Sequence, residues 1–506
     1  MSNIDPKWGS WAIAPAPVAE EEITLRKSCD ALIIGAGISG VTCALRAAQG
    51  GLKVIVMEKG AKWSARGGNI GVAGSKFMKA RGYENDINAL AREWIKRCGN
   101  RCREDLVQLY FKKSSDAMDW LLDIVTAPEY GARPELQACI YRGDTYLENM
   151  GSHRFFDGPM AKKGMRPGAS DAVYAMYCEA LKLGVEFIFN CPACQLIKEN
   201  GRVVGALGKG GDGYIEVRAE KGVVIATGDI SGNDEMCADL APLANRCPKV
   251  YFPVGQNTGD GHRMGLWAGG AFEDGPFPLM LHPQAYFFAN MFFLFVDGKG
   301  RRFMNEDNYI QGKCNALLSR NMPYAWSVID SEWPQKVSDS IPYGGGIFWD
   351  LDHAPDEPFD TKQFQSMLER GLKSGNVVTA DTPEELAEKM GIPADAFAAT
   401  LDRYNDLAKT GCDEDFGKRT ELLMPLDKPP YYGLKFGPAV LAIVGGLKVD
   451  AGMNVLDENG ECIDGLFAVG NAAGGRYGVD YPMVIPGNSH GTALTFGYLL
   501  GGYLAE

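Results

Sequence analysis

Between residues 29 and 59 the chain reads CDALIIGAGISGVTCALRAAQGGLKVIVMEK. Four unbroken apolar positions, 31–34, suit a strand buried on both faces, and small residues at helical spacing follow them. Positions 53–57 then return to a β-branched apolar run that stops at Glu58. The pattern predicts a complete strand–helix–strand unit. KGVVIATGDISGN (221–233) and IDGLFAVGNAAGG (463–475) each read as a short apolar strand that ends in glycine and a small polar residue. Between PFPLMLHPQAYFF and AVLAIVGGLKVD those turns vanish and helical spacing takes over. In TPEELAEKMGIPADAFAATLDRYNDLAKTG (382–411), Thr382 and Pro383 mark a helix start and MGIP breaks the helix in two.

The glycines add chemistry to this pattern. Gly35-x-Gly37-x-x-Gly40 follows the first strand at once. Gly35 permits the tight turn, Gly37 lets backbone approach a pyrophosphate, and Gly40 lets helix and strand pack closely. The helix N-terminus then faces the phosphates. Glu58, 18 residues beyond Gly40, stands where a ribose hydroxyl would be accepted. A second glycine-rich loop, WSARGGNIGVAGSKF (63–77), comes just after. Several strand-to-glycine turns in one chain suit a long cofactor touching several strand ends, which is how FAD lies. No second dinucleotide unit is evident, because GKGGDG (208–213) sits between two strand patterns as a hairpin turn.

These motifs, with NTGDGHRMGLWAGGA (257–271) and the terminal GLFAVGN…PGNSHGTALTFGYLLG, resemble the FAD-dependent fumarate reductase/succinate dehydrogenase flavoprotein family, in the branch of 3-ketosteroid dehydrogenases and enone reductases. The resemblance spans nearly the whole chain. It implies an α/β fold: a Rossmann-like FAD-binding domain in two segments, 1–276 and 442–506, around an inserted α+β capping domain, 277–441. It implies cofactor contacts from Gly35, Gly37, Ile38, Ser39 and Gly40, then from Glu58 with Lys59. The second loop would contribute Gly67, Gly68, Asn69, Ala73, Gly74 and Ser75. Later strand ends would add Cys194, Thr227, Gly228 and Asp260, and the C-terminal segment Gly470, Asn471, Asn488 and Ser489. No histidine stands in ARGGNIGVAG, so the FAD is expected to be noncovalent. The final helix would aim its positive end at the N1/O2 edge of the flavin.

Flavin reduction of an activated C=C needs a hydride, a proton for the other carbon and an electrophile on the carbonyl. In fumarate reductases, arginines clamp a dicarboxylate. The equivalent positions here, in RRFMNEDNYIQG and the terminal turn, are Ile310 and Val484, and the place of a binding histidine falls on Ala442. Only His282 survives of the acid-binding set. An unpaired, desolvated dicarboxylate would cost several kcal/mol by order of magnitude, which excludes fumarate. Resemblance to the ketosteroid branch points instead to Tyr309 as the proton-transferring group, with Tyr481 O–H and Gly487 N–H binding the carbonyl. Two more residues separate Tyr481 from Gly487 than in that branch. Each side chain also has a plain structural role open to it: Tyr309 and Tyr481 as packed aromatics, His282 as a core histidine, Ser489 as a helix cap.

The expected reaction is therefore reduction or desaturation next to a ketone, on a small, apolar, steroid-like substrate. The alternative is an unsaturated carboxylate such as an aryl acrylate, held by His282 with Arg301 or Arg302, and a third reading is a noncatalytic electron-relay subunit. Tyr141, Tyr146 and PYGGGIFWD (342–350) are further pocket candidates. With no C-x-x-C-H haem site, electrons would pass through a separate carrier or quinone. The formal charge of −13 argues against nucleic acid as a partner. The absence of a leader or long apolar run implies a cytoplasmic chain without a membrane span. The thirteen cysteines then read as reduced thiols, Cys191 and Cys194 among them, and no metal site is expected.

Overall fold

The computed structural model describes residues 8–139, 148–251, 253–287, 292–345 and 361–506. Tyr141, Tyr146 and 346–350 of the glycine-rich stretch lie outside the described residues. The anticipated strand–helix–strand unit is Ile23–Ile34, Ile38–Gln49 and Val54–Met57, with the two strands parallel and Ala31 opposite Val54. It forms the middle of an eight-stranded sheet. Tyr214–Ile225 lies parallel on the other side of the first strand, and Cys462–Ala468 lies parallel beyond it. The strands that end in ATGD and AVGN thus deliver their glycine turns to the same edge as the fingerprint, where ligands bind in open parallel sheets. The GKGGDG stretch does join antiparallel strands, with Lys209 opposite Tyr214.

The final helix, Asn488–Ala505, packs along Ile38–Gln49 through small residues. A Cβ on Gly497 would stand 2.6 Å from the Ser39 carbonyl oxygen, and one on Gly501 the same distance from that of Cys43. Only glycine permits an approach this close, and it sets the start of Ile38–Gln49 against the middle of the final helix.

A second, antiparallel sheet of five strands is built around Tyr431–Ile443, which pairs with Leu279–Tyr286, Ala325–Ile329 and Val377–Ala380. Its helices include Pro383–Met390 and Ala394–Thr410, divided at MGIP, with the Thr382 hydroxyl accepting the Glu385 N–H. Two separate clusters of buried apolar side chains result. One draws only on residues between Phe287 and Phe436, and the other on the parallel sheet and its helices. Residues 279–281 and 440–444 belong to the second cluster, so the strands that cross between the two halves are anchored in the core of the parallel sheet. All thirteen cysteines are free. No helix among the described residues is long and apolar enough to cross a membrane.

Candidate active site

Gly35 has φ +111°, and a Cβ there would stand 2.4 Å from the Ala226 carbonyl oxygen. Gly40 packs behind the same turn, where a Cβ would come within 1.9 Å of the Gly35 oxygen. Gly37 differs. None of the described residues lies within 4 Å of its Cβ position or caps, through a side chain, the first N–H groups of Ile38–Gln49, which it precedes. Open space over an uncapped helix N-terminus is what a pyrophosphate requires. Gly470 closes the space from the neighbouring strand, its Cβ position 2.6 Å from Ser39 Oγ. Thr227 Oγ1 and Asn488 Oδ1 are among the buried polar atoms that find no hydrogen-bond partner among the described residues. Buried polar atoms normally find partners. The open glycine, the free helix N-terminus and the two orphaned oxygens fit an FAD lying across these strand ends.

The remaining expected contacts fall into two groups. Glu58 accepts the Ala36 N–H at 2.7 Å and the Gly60 N–H at 2.6 Å, which fixes its carboxylate beside the fingerprint. Lys59 and Asp260 pair with each other at 2.8 Å. Gly228 has φ +78°, and its Cβ position is 2.7 Å from Asn257 Nδ2, so it serves the turn. Cys194 stands in a bulge, between Ala193 opposite Gly208 and Gln195 opposite Leu207, and its thiol donates to the Leu207 carbonyl. Burial pushes the Cys194 thiol up, as it does for Cys191, which reaches about 11. A thiol raised in this way is less reactive than a free one. Ala73 N–H goes to Ser114 Oγ, and Ser75 caps Lys76–Ala80 while its hydroxyl meets His153 Nε2 at 2.8 Å. The Ser75 hydroxyl is thus engaged in supporting the loop.

The second glycine loop and the end of the chain fit together. Gly71 N–H donates to the Gly487 carbonyl at 2.9 Å, and His490 Nδ1 lies 2.8 Å from the Asn69 carbonyl oxygen. Gly487, with φ +79°, is the N-cap of the final helix. Its own N–H meets no acceptor among the described residues. Ser489 is therefore not the cap: its N–H goes to the Tyr481 phenol oxygen at 3.1 Å and its hydroxyl to Asn471 Oδ1 at 3.1 Å. Tyr481, expected to face a substrate carbonyl, is 2% exposed and stacks on Tyr477. The extra residues before the Pro-Gly turn give this tyrosine the reach to support the helix N-terminus from inside.

Tyr309 precedes Ile310–Ser319 and donates its phenol proton to Asp480 Oδ2 at 2.5 Å. Asp480 Oδ1 accepts from Gln311 Nε2 at 2.9 Å and from the Tyr481 N–H at 2.8 Å. Burial raises the Asp480 carboxyl above its usual range, against the lowering pull of those donors. His282 lies opposite Ala439, and burial together with the charge of Arg166 lowers it to about 3, so its imidazole is neutral. Ile310, Val484 and Ala442 are all buried in the core, leaving no cation at the clamp positions. Arg302 is locked in ion pairs with Glu306 and Asp413, both at 2.8 Å, and Arg301 flanks it in the turn that returns to Asp297. The expectation that Arg302 holds a substrate carboxylate is thereby corrected.

Other residues come to the site without having been singled out from the sequence. Tyr251 places its phenol oxygen 1.8 Å from the Cβ position of Gly67, with φ +76° there, and His490 Cε1 is 3.1 Å away. Beside Gly68, Arg154 Nε and Arg166 Nε lie 3.7 and 3.8 Å from its Cβ position. Asp480 was visible only as an acid next to a candidate tyrosine, and Tyr251 only as an aromatic six residues before the NTGDG motif.

The family model described as "FAD binding domain" matches residues 30–484. Vinyl phenol reductase of Lactiplantibacillus plantarum is 27% identical, over 96% of this chain and 98% of that protein. The 3-oxosteroid 1-dehydrogenase of Mycobacterium tuberculosis is 26% identical, over 94% of this chain and 98% of that one. Among solved structures, the 3-ketosteroid-Δ4-(5α)-dehydrogenase of Rhodococcus jostii, in complex with 4-androstene-3,17-dione, superposes with a TM-score of 0.74 at 23% identity, covering 97% of this chain and 99% of that one.

Proposed function

Because the chain belongs to the FAD-binding-domain family of oxidoreductases, we propose that it holds FAD noncovalently and reduces or desaturates a carbon–carbon bond conjugated to a ketone, on a flat apolar substrate. Bound FAD supplies or accepts the hydride. Tyr309 exchanges the proton at the α-carbon, and its 2.5 Å hydrogen bond to Asp480 is the observation that carries the reading. A phenol with a buried carboxylate as its partner is equipped to give up and regain a proton. The Gly487 N–H, at the positive end of the final helix, holds the carbonyl oxygen as charge develops there. Tyr481 keeps that helix end in place through the Ser489 N–H. The absence of cations at Ile310, Val484 and Ala442 disfavours a dicarboxylate, and residues 277–441 are assigned as the cap over the substrate. Electrons pass to or from a separate carrier.

A second reading, an unsaturated monocarboxylate, gains support from Arg154 and Arg166 beside Gly68 and from the effect of Arg166 on His282. In it those arginines replace Arg301 and Arg302 as the carboxylate's partners.

Tyr309→Phe tests the main reading. Turnover falls roughly 10²–10⁴-fold while the KM changes little, the range expected for losing a general acid. Full activity in that variant refutes the proton-transfer role.

A further inference from the structure

We propose that Asp480 is the relay by which Tyr309 exchanges its proton with solvent, through a cleft between the second sheet and the segment that leads into the final helix. The proposal rests on the reading of Tyr309 as the proton-transferring group and adds where that proton comes from.

The Asp480 carboxylate is oriented on both oxygens. Gln311 and the Tyr481 N–H hold Oδ1, which leaves Oδ2 to the Tyr309 phenol. Gln311 is itself fixed, fully buried, by the Leu279 carbonyl at 2.8 Å and the Leu281 N–H at 2.5 Å. On its outer side Asp480 lines a cleft with Arg101, Leu243, Leu281, Asn315 and Val479. Leu243 and Val479 are exposed, so the cleft reaches the surface. The carboxylate therefore joins the phenol to the cleft.

Each C=C reduced takes two electrons and one hydrogen as the hydride that FAD supplies, and its second hydrogen as a proton from Tyr309. The O–H bond of Tyr309 breaks as the α-carbon–hydrogen bond forms, leaving a phenolate. The carboxyl proton of Asp480 passes to that phenolate, and water in the cleft reprotonates the carboxylate. Desaturation runs the same route outward. With Asp480 ionised, the phenol proton is directed at Oδ2. With Asp480 protonated, the carboxyl donates to the phenol oxygen and frees the phenol proton for the substrate. Reduction should therefore slow as pH rises and Asp480 ionises. Burial favours the protonated carboxyl, while Tyr309, the Tyr481 N–H, Gln311 and Arg97 pull the other way. Cys98, Cys314 and, on the cleft wall, Arg101 also face it.

The test is the pH profile of turnover in the FAD-loaded protein, with whichever of 4-androstene-3,17-dione, cinnamate and fumarate reoxidises it fastest. Asp480→Asn is expected to lower kcat at least tenfold, leave the KM within about twofold, and remove the alkaline limb of the profile. Asp480→Glu restores the limb, and acetate partly rescues Asp480→Ala. An unchanged kcat and profile in Asp480→Asn, with Tyr309→Phe still slow, overturns the relay and leaves the Tyr309 reading standing. Loss of kcat in Asp480→Asn with the limb intact, and no recovery in Asp480→Glu or with acetate, makes Asp480 a structural latch and overturns the relay equally. If Tyr309→Phe is fully active, or none of the three compounds reoxidises the protein, the underlying reading falls and the relay with it.

Discussion

The phenol oxygen of Tyr481 accepts the Ser489 N–H at 3.1 Å, so the side chain that precedes the Pro-Gly turn satisfies one of the free donors of the helix that follows it. Gly487 caps that helix by conformation alone and has no side chain to do the same. Tyr481→Phe should therefore destabilise the protein by about 1–3 kcal/mol, the cost of a buried unsatisfied donor. The loss would appear as a lower denaturant midpoint with an unchanged slope. Its turnover should fall far less than that of Tyr309→Phe. A defect as large as that of Tyr309→Phe would return Tyr481 to the substrate.

The fingerprint glycines should separate cofactor binding from folding. A Cβ at Gly37 meets none of the described residues within 4 Å, whereas one at Gly40 meets the Gly35 carbonyl at 1.9 Å. Gly37→Val is expected to purify folded and colourless, with its flavin absorbance lost. Gly40→Ala should lower the melting temperature of the apoprotein as well. Normal flavin content in Gly37→Val would mean that the cofactor does not approach there.

Acid should weaken the fold through its histidines. Burial is the first cause of depression at all four described ones, with His153 at about 4 and His282 at about 3, against the ordinary 6.5 of a free imidazole. The folded protein binds these protons more weakly than the unfolded chain does. Stability is therefore intact above pH 6.5 and is lost as pH falls toward 4 and then 3. His153→Gln and His282→Gln should each flatten that decline by on the order of 1–3 kcal/mol, measured as denaturant midpoints against pH. A decline of unchanged steepness in both variants would assign it to carboxylates.

Much of this architecture was legible in the chain because each signal was local. Apolar runs followed at once by glycine placed three strand ends at one edge, and Thr382-Pro383 and MGIP set two helices. The site was less legible because its side chains meet across long separations. Tyr309 reaches an aspartate 171 positions away, and no periodicity foretells that contact. The cap, the plain alternative to a cofactor contact for Ser489, goes to Gly487, because a positive-φ glycine and a serine compete to start the same helix and backbone conformation decides between them. Arg301 and Arg302 stood near the right motif, yet Glu306 and Asp413 claim Arg302 beside the core of the antiparallel sheet. The arginines that do approach the loop lie beside a Pro-Gly turn and in a strand far from it in sequence.

The most direct measurement is the reoxidation of the FAD-loaded protein, reduced anaerobically with dithionite and mixed in turn with 4-androstene-3,17-dione, cinnamate and fumarate. The oxidised flavin spectrum is expected to return with the steroid enone and not with fumarate. Reoxidation by cinnamate alone, abolished in Arg166→Gln, would favour the monocarboxylate reading. Reoxidation by fumarate alone would contradict both.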